Sequence, residues 1–274
     1  WSGVPAKTAE LQFQIINEWS SKLVSIPLTF SMALSFAIIS FITAAYESGN
    51  RKEMKKYTVK SFRMTSFFTL GSVLAMVALA VPLVTFFYGT WQNNYHIEIA
   101  NALKLDGFRG VLFAFEVVTI AIMQGLGRKN KAVYYSYMGP LVKLILNIPL
   151  VYFLGIYGDI LATIIGLLVV VVLCTRNIVS ITGVKVRFIT KTIIKTFIAG
   201  IPMVLSIVLL NYVFSTFATS LYQNRGFSIL YLGIAGIIGL IPFLFISDRI
   251  GLLREVFGPE VTMKNFIQRI IIRR

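Results

Sequence analysis

The chain has 274 residues, of which 57% are hydrophobic, and its mean hydropathy is +0.79. Soluble domains are about 45–50% apolar, so this composition excludes an ordinary water-exposed surface. A net charge of +15 would suggest nucleic acid as the partner of a soluble protein. Here anionic headgroups attract the basic loops instead, so membrane lipids are predicted partners and nucleic acid is not.

Long apolar runs predict an all-α membrane protein. A transmembrane helix needs about 20 consecutive, mostly apolar residues, and seven windows of the chain meet that requirement. Because these runs are continuous rather than alternating, they predict helices and not the strands of a barrel. In chain order the predicted spans are 23–45, 64–89, 105–126, 133–154, 159–181, 197–222 and 228–247.

Lysine and arginine are divided unequally between the two sides of this arrangement. Twenty of them fall after the first, third and fifth spans or in the C-terminal tail, against five on the opposite side. The positive-inside rule therefore predicts an N-terminus outside the cell and a C-terminus inside. An outside N-terminus without a signal peptide requires an upstream crossing, so a preceding segment is expected.

Both ends of the chain have amphipathic character. Residues 1–22 are interpreted as an extracellular interfacial segment. Residues 248–274 are interpreted as a cytoplasmic amphipathic basic tail on the inner leaflet, with a solvated tail as the alternative.

Charged residues within the predicted spans form the candidate site. Asp106 and Arg109 lie three residues apart near the outer end of the third span, where they can pair along one face. Glu116 and Lys143 lie about half-way along the third and fourth spans, at a depth that would allow an ion pair. Intramembrane ionisable residues tend to mark substrate or ion paths. The alternative is a buried pair that only fixes helix register.

Neutral polar residues extend this set. Asn147 lies one turn beyond Lys143 on the same face, and Thr163 in the fifth span could approach it across a tight turn. His96 is the lone histidine and lies in an outer loop, and Cys174 is the lone cysteine. Without a catalytic or metal-binding cluster, the sequence predicts no enzyme, no metal site and no cofactor.

Three segments resemble the polysaccharide-transporter branch of the MOP exporter superfamily, which includes stage V sporulation protein B and YtgP/MurJ-type lipid II flippases. They are ITAAYESGNRKEMKKY at 42–57, AIMQGLGRKNKA at 121–132 and LVKLILNIPLVYFLGIYGDILAT at 141–163, in the order and at the spacing of that family. The resemblance implies helices 8–14 of a fourteen-helix protein. Residues 23–181 would form most of the C-terminal lobe and 182–247 two added helices, and the N-terminal lobe of the same protein would be a partner.

The resemblance also implies a function. It suggests a multi-pass protein of the bacterial cytoplasmic membrane that flips a lipid-linked cell-wall or polysaccharide precursor, such as a lipid II-like glycan, by alternating access. The substrate-pathway candidates are then Arg109, Glu116, Lys143, Asn147 and Thr163.

Some flippases of this superfamily hold a sodium ion at positions that match Lys143, Asn147 and Thr163. The resemblance therefore implies that the Lys143 ammonium acts as a tethered cation in place of the ion. Asp159 is a further departure, because the family often has alanine at this position.

Other functions fit parts of the pattern. A flippase for another lipid-linked oligosaccharide or a teichoic-acid unit would differ only in cargo. A MATE-type drug or cation antiporter shares the architecture but would be suggested by a carboxylate-lined cavity, and this chain has few such residues. A seven-helix receptor fits the span count and orientation, yet its DRY-like, NPxxY and retinal-lysine features are missing from the sequence.

Overall fold

A computed structural model describes residues 10–11, 13–89, 95–217, 225–258 and 260–262, and the regular secondary structure in these residues is entirely helical. The all-α prediction is therefore confirmed. The α-helices are α1 Ser21–Glu47, α2 Arg51–Thr65, α3 Gly71–Ala78, α4 Ala80–Tyr88, α5 His96–Gly125, α6 Lys129–Leu154, α7 Ile156–Thr182, α8 Val186–Phe217, α9 Arg225–Arg249 and α10 Leu252–Phe257. Two π-helical turns lie at Ile15–Ser20 and Ser66–Leu70.

Five helical stretches in the described residues are long and apolar enough to cross a membrane. They are Arg51–Ala78, Lys129–Leu154, Tyr157–Thr182, Val186–Thr216 and Gly226–Arg249. The last four coincide with the fourth to seventh predicted spans. The third predicted span overlaps the 30-residue α5 up to its last residue, Gly125, and Asp106, Arg109 and Glu116 reduce the apolar character of this helix. The count of seven spans and the sidedness of the termini remain predictions.

The basic gap predicted after the first span is a helix, α2. The side chain of Asn50 caps its N-terminus by accepting a hydrogen bond from the Glu53 N–H at 3.2 Å. One face of α2 is buried, including Met54 and Phe62, while its basic residues lie mostly on the other face. The helix continues through the second π-helical turn into α3 and is interrupted at Leu79. Because the ring of a proline clashes with the carbonyl four residues earlier, Pro82 accounts for this interruption.

α5 lies at the centre of the structure and packs against α1 and α7. α6 packs mainly on α7, and α8 mainly on α9, so the second half of the fold consists of two antiparallel helix pairs. Many apolar side chains remain exposed on these pairs, including Ile145 and Phe153 of α6 and Leu209 of α8. Helices that are apolar on most sides are typical of a membrane environment, where lipid covers such surfaces.

Candidate functional site: a cleft between four helices

A cleft of about 490 Å³ opens between α1, α5, α6 and α7. Four of the five residues predicted to line a substrate path contribute to its wall: Arg109, Glu116, Lys143 and Thr163. Asn147 is not among the lining residues. The remaining wall is apolar or glycine and comprises Leu28, Gly110, Phe113, Gly139, Pro140, Gly166 and Leu167.

One end of the cleft is fixed by a buried carboxylate, Asp106. Its side chain is 0% exposed and pairs with the guanidinium of Arg109 three residues along α5, as predicted. Ser20 Oγ donates a hydrogen bond to Asp106 Oδ2 at 3.0 Å, and the Arg109 guanidinium donates to Ser21 Oγ at 2.8 Å. These bonds tie the start of α1 to α5 and hold the arginine at the cleft wall.

The wall of the cleft formed by α6 and α7 depends on a close approach of these helices at two glycines. A Cβ atom added to Gly166 would lie 2.6 Å from the carbonyl oxygen of Gly139, a separation that real Cβ atoms essentially never show. Small residues at such crossings let two helix backbones come together in a membrane. The turn between the helices is made by Gly155 with φ of +56°, a conformation that a residue with a Cβ rarely adopts.

Lys143 is paired with Asp159, and the ion pair expected between Lys143 and Glu116 is not formed. Lys143 Nζ lies 3.0 Å from Asp159 Oδ1, and both side chains are partly buried. The reason lies in the helix crossing. Lys143 is one turn after Gly139, and Asp159 is two turns before Gly166, so both lie on the same side of the close contact.

Glu116 faces the cleft without an ion pair or side-chain hydrogen bond to any residue that the structure describes. Its backbone carbonyl accepts a hydrogen bond from Thr119 Oγ1 at 2.9 Å, but this contact leaves the carboxylate unpaired. The structure places Glu116 on the cleft wall, but its expected partner Lys143 pairs with Asp159 instead. A role for Glu116 in a substrate path stays a prediction.

The polar groups of Asn147 and Thr163 are arranged differently from the expectation. Thr163 Oγ1 donates a hydrogen bond to the Asp159 carbonyl at 2.8 Å. Asn147 Oδ1 is buried and has no hydrogen-bond partner within the described part of the chain, so the two residues are not joined. The Lys143 ammonium is paired with Asp159, and its expected role as a tethered cation in place of an ion stays a prediction.

A second, apolar pocket of about 400 Å³ lies between α3, α8, α9 and α10. Apolar periodicity does not predict its wall, which combines residues 67–75 with Met203 and with residues from 240 to 262. Aromatic and aliphatic side chains form most of its wall, among them Phe67, Phe68, Met203, Phe243, Leu253 and Phe257.

The short helix α10 is held beside this pocket by a charged cluster. Lys195 Nζ lies 2.5 Å from Glu255 Oε1 and also donates to the Ile250 carbonyl at 2.8 Å. Arg63 approaches the other carboxylate oxygen of Glu255 at 3.6 Å and donates to the Glu255 carbonyl at 3.2 Å. Of the predicted tail 248–274, only 248–258 and 260–262 are described, and the remainder lies outside the described residues.

Comparison with known proteins supports the relationship that the sequence motifs suggested. Residues 19–153 match the MatE family model. Over 246 residues the chain is 27% identical to lipid II flippase MurJ of Bacillus subtilis strain 168, covering 89% of this chain and 44% of that protein. A solved structure of lipid II flippase MurJ in an inward closed conformation matches with a TM-score of 0.67 and 17% identity.

The structural match covers 89% of this chain and 47% of the MurJ chain, and at that identity it shows the fold alone. The chain therefore spans about half the length of the relatives it matches. Together the matches confirm the predicted relationship to MurJ-like members of the MOP exporters.

Proposed function

We propose that this MurJ-related chain forms part of a flippase that carries a lipid-linked cell-wall or polysaccharide precursor across the bacterial cytoplasmic membrane by alternating access. The observation that carries the proposal is the charged cleft between four helices, with Arg109, Glu116 and Lys143 on its wall. Charged groups within a membrane region are costly and are retained where a polar cargo or ion passes. The homology to a lipid II flippase supports the same cargo class.

Arg109 is the candidate for a fixed contact with an anionic headgroup. A guanidinium offers five N–H donors in a rigid fork, which suits the oxygens of a pyrophosphate. Asp106 and Ser21 engage part of this fork and orient it, and about a quarter of the side chain remains exposed toward the cleft. The arginine would bind the headgroup without having to change its own position.

Lys143 would act as an exchangeable contact. Its pair with Asp159 is partly exposed, so an anionic headgroup entering the cleft would compete with the Asp159 carboxylate for the ammonium. Lysine suits this role because its ammonium is a point charge on a flexible stem and has no fixed fork geometry. Asp159 would hold Lys143 in the empty cleft and release it when cargo enters.

The apolar pocket beside α10 is proposed to receive part of the lipid tail of the cargo. Its wall is built from Phe67, Phe243, Phe257 and neighbouring apolar residues, with very little polar surface. Because lipid tails and such side chains are similarly apolar, the tail could move from the bilayer into the pocket without a desolvation cost. The two added helices of the proposed architecture, α8 and α9, contribute Met203 and the residues Leu240, Phe243 and Leu244 to this wall.

The proposed topology places the N-terminus outside and the C-terminus in the cytoplasm. Cysteines introduced by K131C and E98C lie on opposite sides in this arrangement, and both positions are exposed. A membrane-impermeant maleimide added to intact cells should label E98C and spare K131C. The native Cys174 is fully buried and should contribute little background. The reverse labelling pattern would show that the topology is opposite to the one proposed.

The test of function is complementation by a chimera. The segment of Bacillus subtilis MurJ that aligns with this chain is replaced by the chain itself, in a strain depleted of its lipid II flippase. Growth is the expected result. In this chimera K143A should abolish growth at an unchanged membrane level, whereas K191A, which alters an exposed lysine of α8 outside the cleft, should not.

Two outcomes would contradict the proposal. A chimera that inserts normally but does not restore growth would exclude a lipid II-like cargo, and accumulated lipid-linked precursors in a deletion strain would then identify another glycan. A K143A chimera that grows like the unmodified chimera would remove Lys143 from the mechanism.

A second candidate function, export of cationic compounds as in MATE-type antiporters, is favoured by the unpaired carboxylate of Glu116. Both cations on the cleft wall have acidic partners, so the cleft has no excess positive charge. Drug sensitivity of the depleted strain separates this function from the first, because a cation exporter would restore resistance without restoring cell-wall synthesis.

A further inference from the structure

The charges around the cleft are balanced except at one residue. Arg109 is neutralised by Asp106, and Lys143 is neutralised by Asp159. Glu116 lines the same cleft and has no cationic partner among the described residues. With every group in its ordinary ionised form, these five side chains carry one net negative charge.

We propose that Glu116 is a reversible proton-binding site within the cleft. In this step a hydronium ion transfers its proton to a carboxylate oxygen of Glu116, forming an O–H bond and leaving a water molecule. Loss of the proton to water reverses the step. An unpaired charge in a low-dielectric region is expensive, and uptake of a proton removes that charge without any movement of a helix.

A proton fits Glu116 better than a metal ion does. A hard metal cation takes several oxygen ligands, whereas a proton needs a single carboxylate. In the described part of the chain no group of three His, Cys, Asp or Glu side chains is placed to hold a metal ion.

The groups that face Glu116 come from three helices. Arg109, with its partner Asp106, lies on the same helix α5. Lys143 lies on α6 and is paired with Asp159 of α7, and α7 also carries the buried Cys174. α1 contributes the apolar Leu28. None of these groups neutralises Glu116 by direct contact, so its charge depends on proton exchange.

Protonation would change what the cleft accepts. With Glu116 ionised the cleft is net negative and repels an anionic headgroup, and with Glu116 protonated the cleft is neutral and leaves Arg109 and Lys143 to attract that headgroup. Proton uptake would then accompany cargo entry. This coupling rests on the proposed function, whereas proton binding itself does not.

The test is infrared spectroscopy of the full chain reconstituted in liposomes, recorded as the difference between acidic and neutral samples. A protonated carboxyl in apolar surroundings gives a C=O stretching band distinct from that of a hydrated carboxyl. We expect such a band in the wild type, its loss in E116Q and its persistence in E98Q. Glu98 is the matched control because it is an exposed carboxylate on the same helix, outside the cleft.

Two further samples keep the test decisive if E116Q fails to insert. Wild-type protein labelled with ¹³C on the glutamate carboxyl should show a shifted band, whereas aspartate labelling should leave it unchanged. E116D should retain a band at an altered frequency. An unchanged band in folded E116Q, or a band that moves only with aspartate labelling, would overturn the proposal.

Replacing choline chloride by sodium chloride separates a proton from a metal ion. The proposal requires the same band in both salts, and suppression of the band by sodium would overturn the choice of ligand. Because no transport is measured, failure here is distinct from failure of the chimera to restore growth. Conversely, the Glu116 band could be present although the chimera does not restore growth. That result would support proton binding and contradict the proposed lipid II-like cargo.

Discussion

The ammonium of Lys143 lies 3.0 Å from the carboxylate of Asp159, across the crossing of α6 and α7. Both side chains are partly exposed, so neither is held as tightly as a fully buried pair. Under the proposed function, the pair would hold the Lys143 ammonium when no cargo is present and release it when an anion competes for it.

A double-mutant cycle measures the strength of this pair. Purified D159N, K143Q and the double variant are compared with wild type by thermal unfolding in one detergent. We expect a coupling free energy of about 1–3 kcal/mol, between the values typical of surface and buried pairs.

The control for that cycle is the exposed pair of Glu18 and Lys22, which are four residues apart in sequence and 2.6 Å apart. Water and salt screen such a pair, so the E18Q and K22Q variants should show almost no coupling. Equal coupling in the two cycles would mean that the cleft does not strengthen the Lys143–Asp159 interaction.

The close contact of α6 and α7 predicts different effects for glycine substitutions. In G166A the new methyl group would collide with the Gly139 carbonyl, and relief requires the backbones to separate. We expect a loss of about 1–3 kcal/mol in thermal unfolding, as in other overpacked interiors.

Gly236 of α9 provides the matched control, because a Cβ added there meets no heavy atom within 4 Å. Alanine is a better helix former than glycine by about 1 kcal/mol, so G236A should leave stability unchanged or raise it slightly. Similar losses in G166A and G236A would contradict the close contact.

Local and non-local features of this chain differ in how far the sequence predicts them. Asp106 and Arg109 are three residues apart on one helix, so α-helical geometry alone predicts their pairing. The partner of Lys143 depends on the register of α6 against α7, which the Gly139–Gly166 contact sets and apolar periodicity does not specify.

The contact between Arg63 and Glu255 is a stronger example. The two residues are 192 positions apart, and only the tertiary packing of α2, α8 and α10 brings them together. Apolar runs identify helices long enough to cross a membrane, but they do not indicate which charged side chains of different helices come into contact.

The ion pair of Asp106 and Arg109 predicts unequal losses of stability when one or the other residue is replaced. R109Q would leave a carboxylate that is 0% exposed without a countercharge, a change that typically costs about 3–5 kcal/mol. D106N would leave a guanidinium that is 25% exposed and able to reach water, so its loss should be smaller. Thermal unfolding of both variants checks this order.

The double variant D106N/R109Q completes that comparison. Removing both charges leaves neither one uncompensated, so its stability loss should be less than the sum of the two single losses. Strict additivity, or a larger loss in D106N than in R109Q, would contradict the burial assigned to Asp106.

The contacts of Glu255 predict that one substitution will loosen α10. E255Q removes the charge that pairs with Arg63 and Lys195, both of which are mostly buried. Losing about 1.5 kcal/mol from these charge-assisted contacts would raise the population of detached α10 about tenfold. The measurement is maleimide labelling of L253C, at a residue of α10 that is 6% exposed, with and without E255Q. The L253C/E98Q variant controls for a general effect of removing a carboxylate. If L253C is labelled at the same rate with and without E255Q, apolar packing alone holds α10 in place.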